Sequence, residues 1–367
     1  MQQYLDLLQN ILDHGVDVPD RTGHGRRRLF SPPALRFDLS SGEHPLVTTR
    51  KLNPLIAPVE NLMFISGNSN ISMLNEHGVK IWDPWAVTRQ TGISLVKKFE
   101  ALGLATPEQA LHIVNDFPES LIGEIGPMYG VMWRCWPKAD QEIHRASVIR
   151  SVEELPSDFV TAATNAYESL PEEEKAGIPL EHWLLRHYYS AVDQLNELIW
   201  NLRKDPYGSR HVVTAFNPEF TPVPGFSPDE NVLLKRGSLM PCHFAFQCFV
   251  TPPAEKGRLP RLSLKWLQRS CDCPVGIPQN IAGYAFLLRL LAQCVNMEPF
   301  ELVGDLGDAH IYLSQIEDVK LQLTRKPLPP PTLWINPEKT DLFAFTMADV
   351  KIMDYQYHDP IKYAIAV

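Results

Sequence analysis

One segment of the chain carries three polar stretches in close succession: Pro241-Cys242-His243, Gln268-Arg269-Ser270-Cys271-Asp272 and Gly276-Ile277-Pro278-Gln279-Asn280. Apolar and polar residues alternate over 242–250 and again over 262–268, which predicts two strands. A strongly apolar run over 281–294 predicts a buried helix after them. The segment therefore predicts strands and a helix that carry polar side chains between them.

The polar residues of this segment favour a particular chemistry. A cysteine such as Cys242 acts as a nucleophile only as the thiolate, which a neighbouring cation stabilises. Arg269 and Ser270 supply donors that suit a phosphate. The amide of Asn280 offers donors and an acceptor, which matches the edge of a pyrimidine ring. Together they indicate a reactive thiol near a site for a phosphorylated pyrimidine.

Further motifs run along the rest of the chain. In order they are Asp20-Arg21-Thr22-Gly23-His24-Gly25, Pro45-Leu46-Val47-Thr48-Thr49-Arg50-Lys51, Glu60, Ile81-Trp82-Asp83-Pro84-Trp85, Gly126-Pro127-Met128-Tyr129-Gly130, Trp133-Arg134, Asp205-Pro206, Ser209-Arg210 and Gly307-Asp308-Ala309-His310-Ile311-Tyr312. With the first segment, this series resembles the family of thymidylate synthases and deoxynucleotide (dUMP or dCMP) hydroxymethylases. The resemblance implies an α+β fold with a thymidylate synthase-like mixed β-sheet and flanking helices.

Strands and long helices also mix without a regular βαβ repeat, which is typical of α+β proteins. We expect a single domain over 1–367, interrupted by insertions at about 88–123, 139–188 and 218–237. The first two contain apolar residues and are predicted to be helical, whereas the third, rich in Pro and Gly, is predicted to be a surface loop.

Composition excludes several classes of protein. The 367 residues are 44% hydrophobic, enough for a large core, and a net charge of -9 argues against a nucleic-acid partner. The six cysteines lie mostly in apolar segments, as in a reducing compartment, and the Cys271-Asp272-Cys273 spacing does not suit zinc, so we expect no metal. Without a signal peptide or a membrane-length apolar run, we expect a cytoplasmic protein, in the host cytoplasm if phage-encoded.

The resemblance assigns the catalytic residues. Cys242 is expected to add to C6 of dUMP with the support of Arg269, and Asn280 to recognise uracil rather than cytosine. Glu60, on an apolar helix, is expected to have a raised pKa and to move protons through water with Tyr129. For the other cysteines of the site segment and its neighbours, namely Cys248, Cys271, Cys273 and Cys294, burial without reactivity is the preferred interpretation.

The resemblance also assigns the substrate site. Arg21, Arg269 and Ser270 match phosphate ligands, and Arg210 matches an arginine that crosses into the partner subunit's site, which implies a homodimer. His211 stands where the family usually has a second arginine, so one phosphate contact loses its fixed charge. The remaining substrate-binding residues are Gln268, Asp272, His310 and Tyr312, the last two holding the sugar 3′-hydroxyl.

The cosubstrate implied by the resemblance is 5,10-methylenetetrahydrofolate. Its expected binding residues are Trp82, Trp85, Asp272, Gly276 and Gln279. The chain departs from the family here, because Gln279 replaces a usual phenylalanine and Pro274 replaces a usual aromatic or aliphatic residue. An amide in place of an apolar ring can admit and orient water.

This departure bears on the product. Both branches of the family form an exocyclic methylene on C5; a methylase then delivers hydride from the folate, whereas a hydroxymethylase lets water add. We favour a dUMP 5-hydroxymethylase that releases 5-hydroxymethyl-dUMP and tetrahydrofolate, with thymidylate synthase, which yields dTMP and dihydrofolate, as the alternative. Trp82 and the Ala366-Val367 end favour methylation. A remote alternative is an inactive scaffold or RNA-binding protein, which would form no covalent complex with 5-fluoro-dUMP and folate.

Overall fold

The computed structural model of the chain describes residues 1–20, 23–101, 118–136, 157–169, 192–253 and 255–365, with the single positions 106, 175, 180 and 184. The chain divides into two compact units. The first comprises Met1–Leu62, Asn201–Val213 and Cys242–Val367, and the second comprises Met63–Trp200 and Thr214–Pro241. Whether they form one domain, as expected above, stays a prediction.

Short strands and helices alternate irregularly along the described residues. The strands are β1 (Val16–Val18), β2 (Arg26–Phe30), β3 (Leu35–Asp38), β4 (Val212–Thr214), β5 (His243–Thr251), β6 (Arg261–Asp272), β7 (Glu298–Tyr312), β8 (Thr332–Ile335) and β9 (Val350–Met353). The α-helices are α1 (Gln2–His14), α2 (Ile56–Ile65), α3 (Ser72–Glu76), α4 (Arg89–Ala101), α5 (Tyr129–Arg134), α6 (Ser157–Glu168), α7 (Gln194–Lys204), α8 (Pro228–Leu233), α9 (Gly276–Cys294) and α10 (Ile316–Leu323).

The main sheet has seven strands in the order β1-β2-β7-β6-β5-β4, and β3 pairs with the free part of β7. Strands β6 and β7 run parallel, whereas β5 with β6 and β2 with β7 are antiparallel. A parallel pair needs a long crossover, which α9 supplies between β6 and β7. The mixed sheet with flanking helices confirms the predicted α+β fold.

Helix α9 packs against β6 and β7 and forms the centre of the first unit. It is apolar on all sides, and most of its residues from Ile277 to Cys294 are buried. On the sheet, the buried ring of Trp266 lies over Gly304, where an added Cβ would come within 2.3 Å of it. The same ring stacks on Tyr284 of α9 with 5.4 Å between ring centroids. Trp266 and Tyr284 therefore join the helix to the sheet.

The three elements predicted around Cys242 are present, with boundaries that matter for the site. The first strand is His243–Thr251, so Cys242 lies immediately before it. The second strand continues beyond its alternating part to Asp272, because Ser270 and Asp272 still pair with β7. The helix begins at Gly276 rather than 281, which places Gln279 and Asn280 in its first turns.

The insertions are seen in part, all of it in the second unit. Helix α4 lies in 88–123 and helix α6 in 139–188, and the rest of these two stretches lies largely outside the described residues. The prediction of a surface loop over 218–237 is wrong for its second half. Helix α8 forms there with a Ser227–Glu230 capping box and buries Asn231 and Val232. The Ser-Pro-x-Glu start of α8 is a helix signal that the Pro and Gly content obscured.

Candidate active site

Cys242 and Arg269 come together through the pairing of β5 with β6. The backbone N–H of Arg269 donates to the carbonyl oxygen of Cys242 at 2.8 Å. Burial raises the pKa of the half-buried Cys242 thiol, and Arg269 acts in the opposite direction with a smaller effect. The expected cationic neighbour is therefore present, but it offsets only part of the rise in the Cys242 pKa that burial causes. The thiol must lose its proton before it can act as a nucleophile.

The other cysteines of the segment are enclosed in the core. Cys248, Cys271, Cys273 and Cys294 are all buried. Burial raises the pKa of Cys248 and of Cys294 to about 12, so both remain protonated near neutral pH. These features agree with the interpretation that they are unreactive, and they distinguish Cys242 within the segment.

A chain of hydrogen bonds leads from the core to Asn280. The indole Nε1 of Trp266 donates to Gln268 Oε1 at 3.1 Å. Gln268 Nε2 then donates to the Ser270 carbonyl oxygen at 3.1 Å and to Asn280 Oδ1 at 3.0 Å. An indole N–H only donates and a carbonyl oxygen only accepts, so both ends of the Gln268 amide have a fixed identity. Asn280 must consequently turn its oxygen toward Gln268.

The orientation of Asn280 has a direct chemical meaning. Uracil presents a donor at N3 and an acceptor at position 4, whereas cytosine presents an acceptor at N3 and a donor at position 4. An asparagine amide complements one pattern in one orientation and the other pattern when turned by half a rotation. Since Gln268 holds one orientation, Asn280 is set to recognise one of the two bases.

His243, next to Cys242, is buried and bonded to helix α9. Its Nδ1 lies 2.9 Å from the hydroxyl oxygen of Tyr284. Burial lowers the pKa of His243 to about 3, so the imidazole is neutral near pH 7. Burial also raises the pKa of Tyr284, and Glu60 contributes to that rise, so the carboxyl group on α2 acts electrostatically on α9. The sequence did not identify Trp266 and Tyr284 as residues of the site, because neither belongs to a matched motif.

The end of β7 carries the two residues expected at the sugar. The rings of His310 and Tyr312 meet edge to face with 5.3 Å between centroids. Strand β2 pairs alongside, and Arg26 and Arg28 each reach a carboxylate oxygen of Asp308 at 3.1 Å. The Asp308 carbonyl oxygen lies 3.0 Å from His310 Nδ1. The ion pairs therefore brace the strand that positions His310.

Three of the expected folate-site residues lie at the end of β6 and the start of α9. Asp272 Oδ1 accepts from the backbone N–H of Val275 at 3.1 Å, and burial raises the pKa of Asp272. Gly276 is half-buried. Gln279 is half-buried too, but its Oε1 atom is fully buried and accepts no hydrogen bond from any described residue. A buried acceptor of this kind calls for a donor from water or a ligand.

The second unit contains an aromatic cluster built from the other motif residues. Trp82 meets Trp85 at 5.8 Å and Tyr129 at 5.9 Å between ring centroids, in both cases edge to face. Phe64, which the sequence did not single out, stacks on Tyr129 at 4.8 Å. Tyr129 has a φ of 25°, a conformation that is strained for a bulky residue and often marks a functional position. The flat apolar rings of this cluster are of the kind on which a pterin can pack.

The predicted phosphate ligands differ in their exposure to solvent. Arg269 and Arg210 are exposed, and Ser270 is half-buried. His211 points inward, with 1% of its surface exposed, and its carbonyl oxygen accepts from the backbone N–H of Cys248 at 2.8 Å. Arg21 lies outside the described residues. The roles of these residues in phosphate binding stay predictions.

These features define a class of protein: an α+β protein whose mixed sheet brings a half-buried cysteine beside an arginine and near an oriented amide. A family model described as Thymidylate synthase matches residues 2–367, so the chain belongs to the thymidylate synthase family. The family transfers a one-carbon unit from methylenetetrahydrofolate to C5 of dUMP, and this chain is an enzyme of that type.

Among the described residues, no group of three or more His, Cys, Asp or Glu side chains could hold a metal ion. No helix in the described part of the chain is long and apolar enough to cross a membrane.

Proposed function

We propose that this enzyme is a dUMP 5-hydroxymethylase. The observation that carries the proposal is the buried Oε1 of Gln279, which has no donor among the described residues. A buried acceptor without a partner costs about 1–3 kcal/mol unless a ligand or water satisfies it. Water is the nucleophile of hydroxymethylation, and a methylase must exclude it from the same position.

The residues of the first unit support the early steps. The Cys242 sulfur adds to C6 of dUMP, and Arg269 lowers the cost of forming the thiolate. Bound methylenetetrahydrofolate supplies the one-carbon unit that C5 receives. Asn280, oriented by Gln268, pairs with the N3 and O4 edge of uracil. Glu60, which is buried on α2, takes and returns protons through water.

Thymidylate synthase is the second candidate, and one observation favours it. The Trp82 ring is buried against Tyr129 and Trp85, which makes a dry apolar surface of the kind that hydride transfer requires. The two candidates share every step up to the exocyclic methylene. They differ only in whether water or hydride reaches that carbon first.

Mass spectrometry of the nucleotide product from dUMP and methylenetetrahydrofolate separates the candidates. We expect 5-hydroxymethyl-dUMP as the main product, with dihydrofolate formed only in step with a minor amount of dTMP, because only methylation oxidises the folate. A Gln279→Phe variant should shift the product toward dTMP, since the ring removes the acceptor that holds water. Formation of dTMP in step with dihydrofolate in the wild-type enzyme would refute the proposal.

The enzyme is proposed to act as a homodimer in the cytoplasm, where its free cysteines suit a reducing environment. Arg210 is exposed and available to a partner subunit.

Subunit complementation tests the shared site. Cys242→Ala and Arg210→Ala proteins, each inactive, should regain some activity when mixed, because one site of the heterodimer carries neither change. Verified heterodimers without activity would show that each site is built from one chain.

A further inference from the structure

Asn61 is a buried amide that the steps above do not use. It lies on α2 beside Glu60, with 6% of its surface exposed. Its Nδ2 donates to the Ala57 carbonyl oxygen at 2.9 Å. Because a carbonyl oxygen only accepts, this bond fixes the amide orientation and turns Oδ1 away from Ala57. No described residue donates a hydrogen bond to that oxygen.

Asn61 packs on the same helix that carries Gln279. A Cβ added at Gly283 would lie 2.7 Å from Asn61 Nδ2, so the side chain sits directly against the backbone of α9 at that position. Positions 279 and 283 are four residues apart and share one face of the helix. One surface therefore carries both side chains: Gln279, whose buried Oε1 has no donor among the described residues, and Asn61 one turn along, whose Oδ1 accepts from no described residue.

The buried Oε1 of Gln279 requires a donor, and a ligand with two donors can satisfy it and Asn61 Oδ1 together. Water has two, and buried waters commonly satisfy such groups with two to four hydrogen bonds. A water that donates both hydrogens to amide oxygens directs its lone pairs away from them, which is the orientation of a nucleophile. We propose that Asn61 is a positioning residue that, with Gln279, holds the water that adds to the methylene carbon on C5. This inference rests on the proposed hydroxymethylase function.

The step balances with the groups already named. The water oxygen forms a bond to the exocyclic methylene carbon, and the electrons of the exocyclic double bond move to O4 of the ring. As the bond from oxygen to carbon forms, the oxygen gives up one of its two protons, which passes through a second water to Glu60, the neighbour of Asn61. The enolate then expels the Cys242 sulfur from C6 as a thiolate and restores the 5,6 double bond, which releases 5-hydroxymethyl-dUMP.

Product partition in an Asn61→Leu variant tests the proposal. Loss of one hydrogen bond to the water should lower the ratio of 5-hydroxymethyl-dUMP to dTMP roughly fivefold, with little change in KM for dUMP. Asn61→Asp keeps an acceptor oxygen but loses the bond to Ala57, so it should retain more of the wild-type ratio than Asn61→Leu does. Asn196→Leu replaces a similarly buried asparagine on α7 and should leave the ratio unchanged. A merely structural role would reduce kcat without moving the partition.

A second variant keeps the amide but displaces it. Gly283→Ala adds a methyl group 2.7 Å from the present position of Asn61 Nδ2, so the amide must shift and the ratio should move in the same direction as in Asn61→Leu. This test remains valid even if Asn61→Leu folds poorly. The wild-type enzyme could make 5-hydroxymethyl-dUMP while Asn61→Leu and Gly283→Ala both leave the ratio of 5-hydroxymethyl-dUMP to dTMP unchanged. That result would overturn the role of Asn61 but not the proposed function. A wild-type enzyme that makes only dTMP would overturn the proposed function and this inference together.

Discussion

The amide of Gln268 controls which way Asn280 faces, and the substitution Gln268→Glu tests that control. A carboxylate accepts from Trp266 Nε1 as the amide does, but it has no N–H to give to Asn280 Oδ1, now 3.0 Å from Gln268 Nε2. Two acceptor oxygens would then face each other. Asn280 relieves this by turning its amide, so that its Nδ2 donates to the carboxylate. The turned amide offers the pattern that complements cytosine.

The size of the effect follows from the bonds exchanged. A hydrogen bond to a charged group contributes about 1.5–3 kcal/mol, and the turned Asn280 gains one of these. Because 1.4 kcal/mol corresponds to a factor of about ten, the ratio of kcat/KM for dUMP over dCMP should fall by roughly 10- to 100-fold. The lost bond to the Ser270 carbonyl oxygen lowers activity toward both nucleotides and therefore leaves the ratio unaffected.

Competition between dUMP and dCMP, with both products quantified by mass spectrometry, measures this ratio directly. Gln356→Glu, an identical change at an exposed position, is the control for added negative charge. Thermal unfolding of the variant shows whether the core around Trp266 survives. A folded Gln268→Glu enzyme with the wild-type ratio would refute the argument that Gln268 orients Asn280.

Three further predictions concern the thiol and a buried histidine. Cys242→Ala should abolish turnover while dUMP binding persists in calorimetry, and turnover near the wild-type rate would remove Cys242 as the nucleophile. Arg269→Gln should move the pH midpoint of Cys242 alkylation upward, because Arg269 lowers the thiol pKa; a midpoint that stays or falls contradicts this. Burial, and to a smaller extent Arg289, lowers the pKa of His44 from 6.5 to about 3. Between these two pH values only the unfolded chain binds the proton. The contribution of neutral His44 to stability is therefore complete above pH 6.5 and is lost as the pH falls. His44→Phe should therefore reduce the loss in unfolding free energy between pH 7 and pH 5 by about 2 kcal/mol in urea titrations, and an equal loss in both proteins would show that His44 is not responsible.

Much of the fold could be predicted from the sequence because its signals are local. The apolar run over 281–294 is long enough to favour a buried helix, and the stretch over 242–250, rich in Phe and Val, favours a strand. The order of the motifs predicted the family, and the polar neighbours of Cys242 distinguished it from the other five cysteines. The error at 218–237 arose from weighing Pro and Gly content above the capping box at Ser227, which is itself a local signal.

The sequence by itself determined the α+β class, the family, and the residue types available for chemistry at Cys242, Arg269 and Asn280. Only the tertiary structure decided how those groups are set. The orientation of Asn280 depends on hydrogen bonds from Gln268, and the exposure of Asn61 to α9 depends on the absence of a side chain at Gly283. Burial likewise raised the Cys242 pKa despite its arginine neighbour. Hydrogen-bond direction and desolvation depend on every atom packed around a group, and those atoms come from segments far apart in the chain.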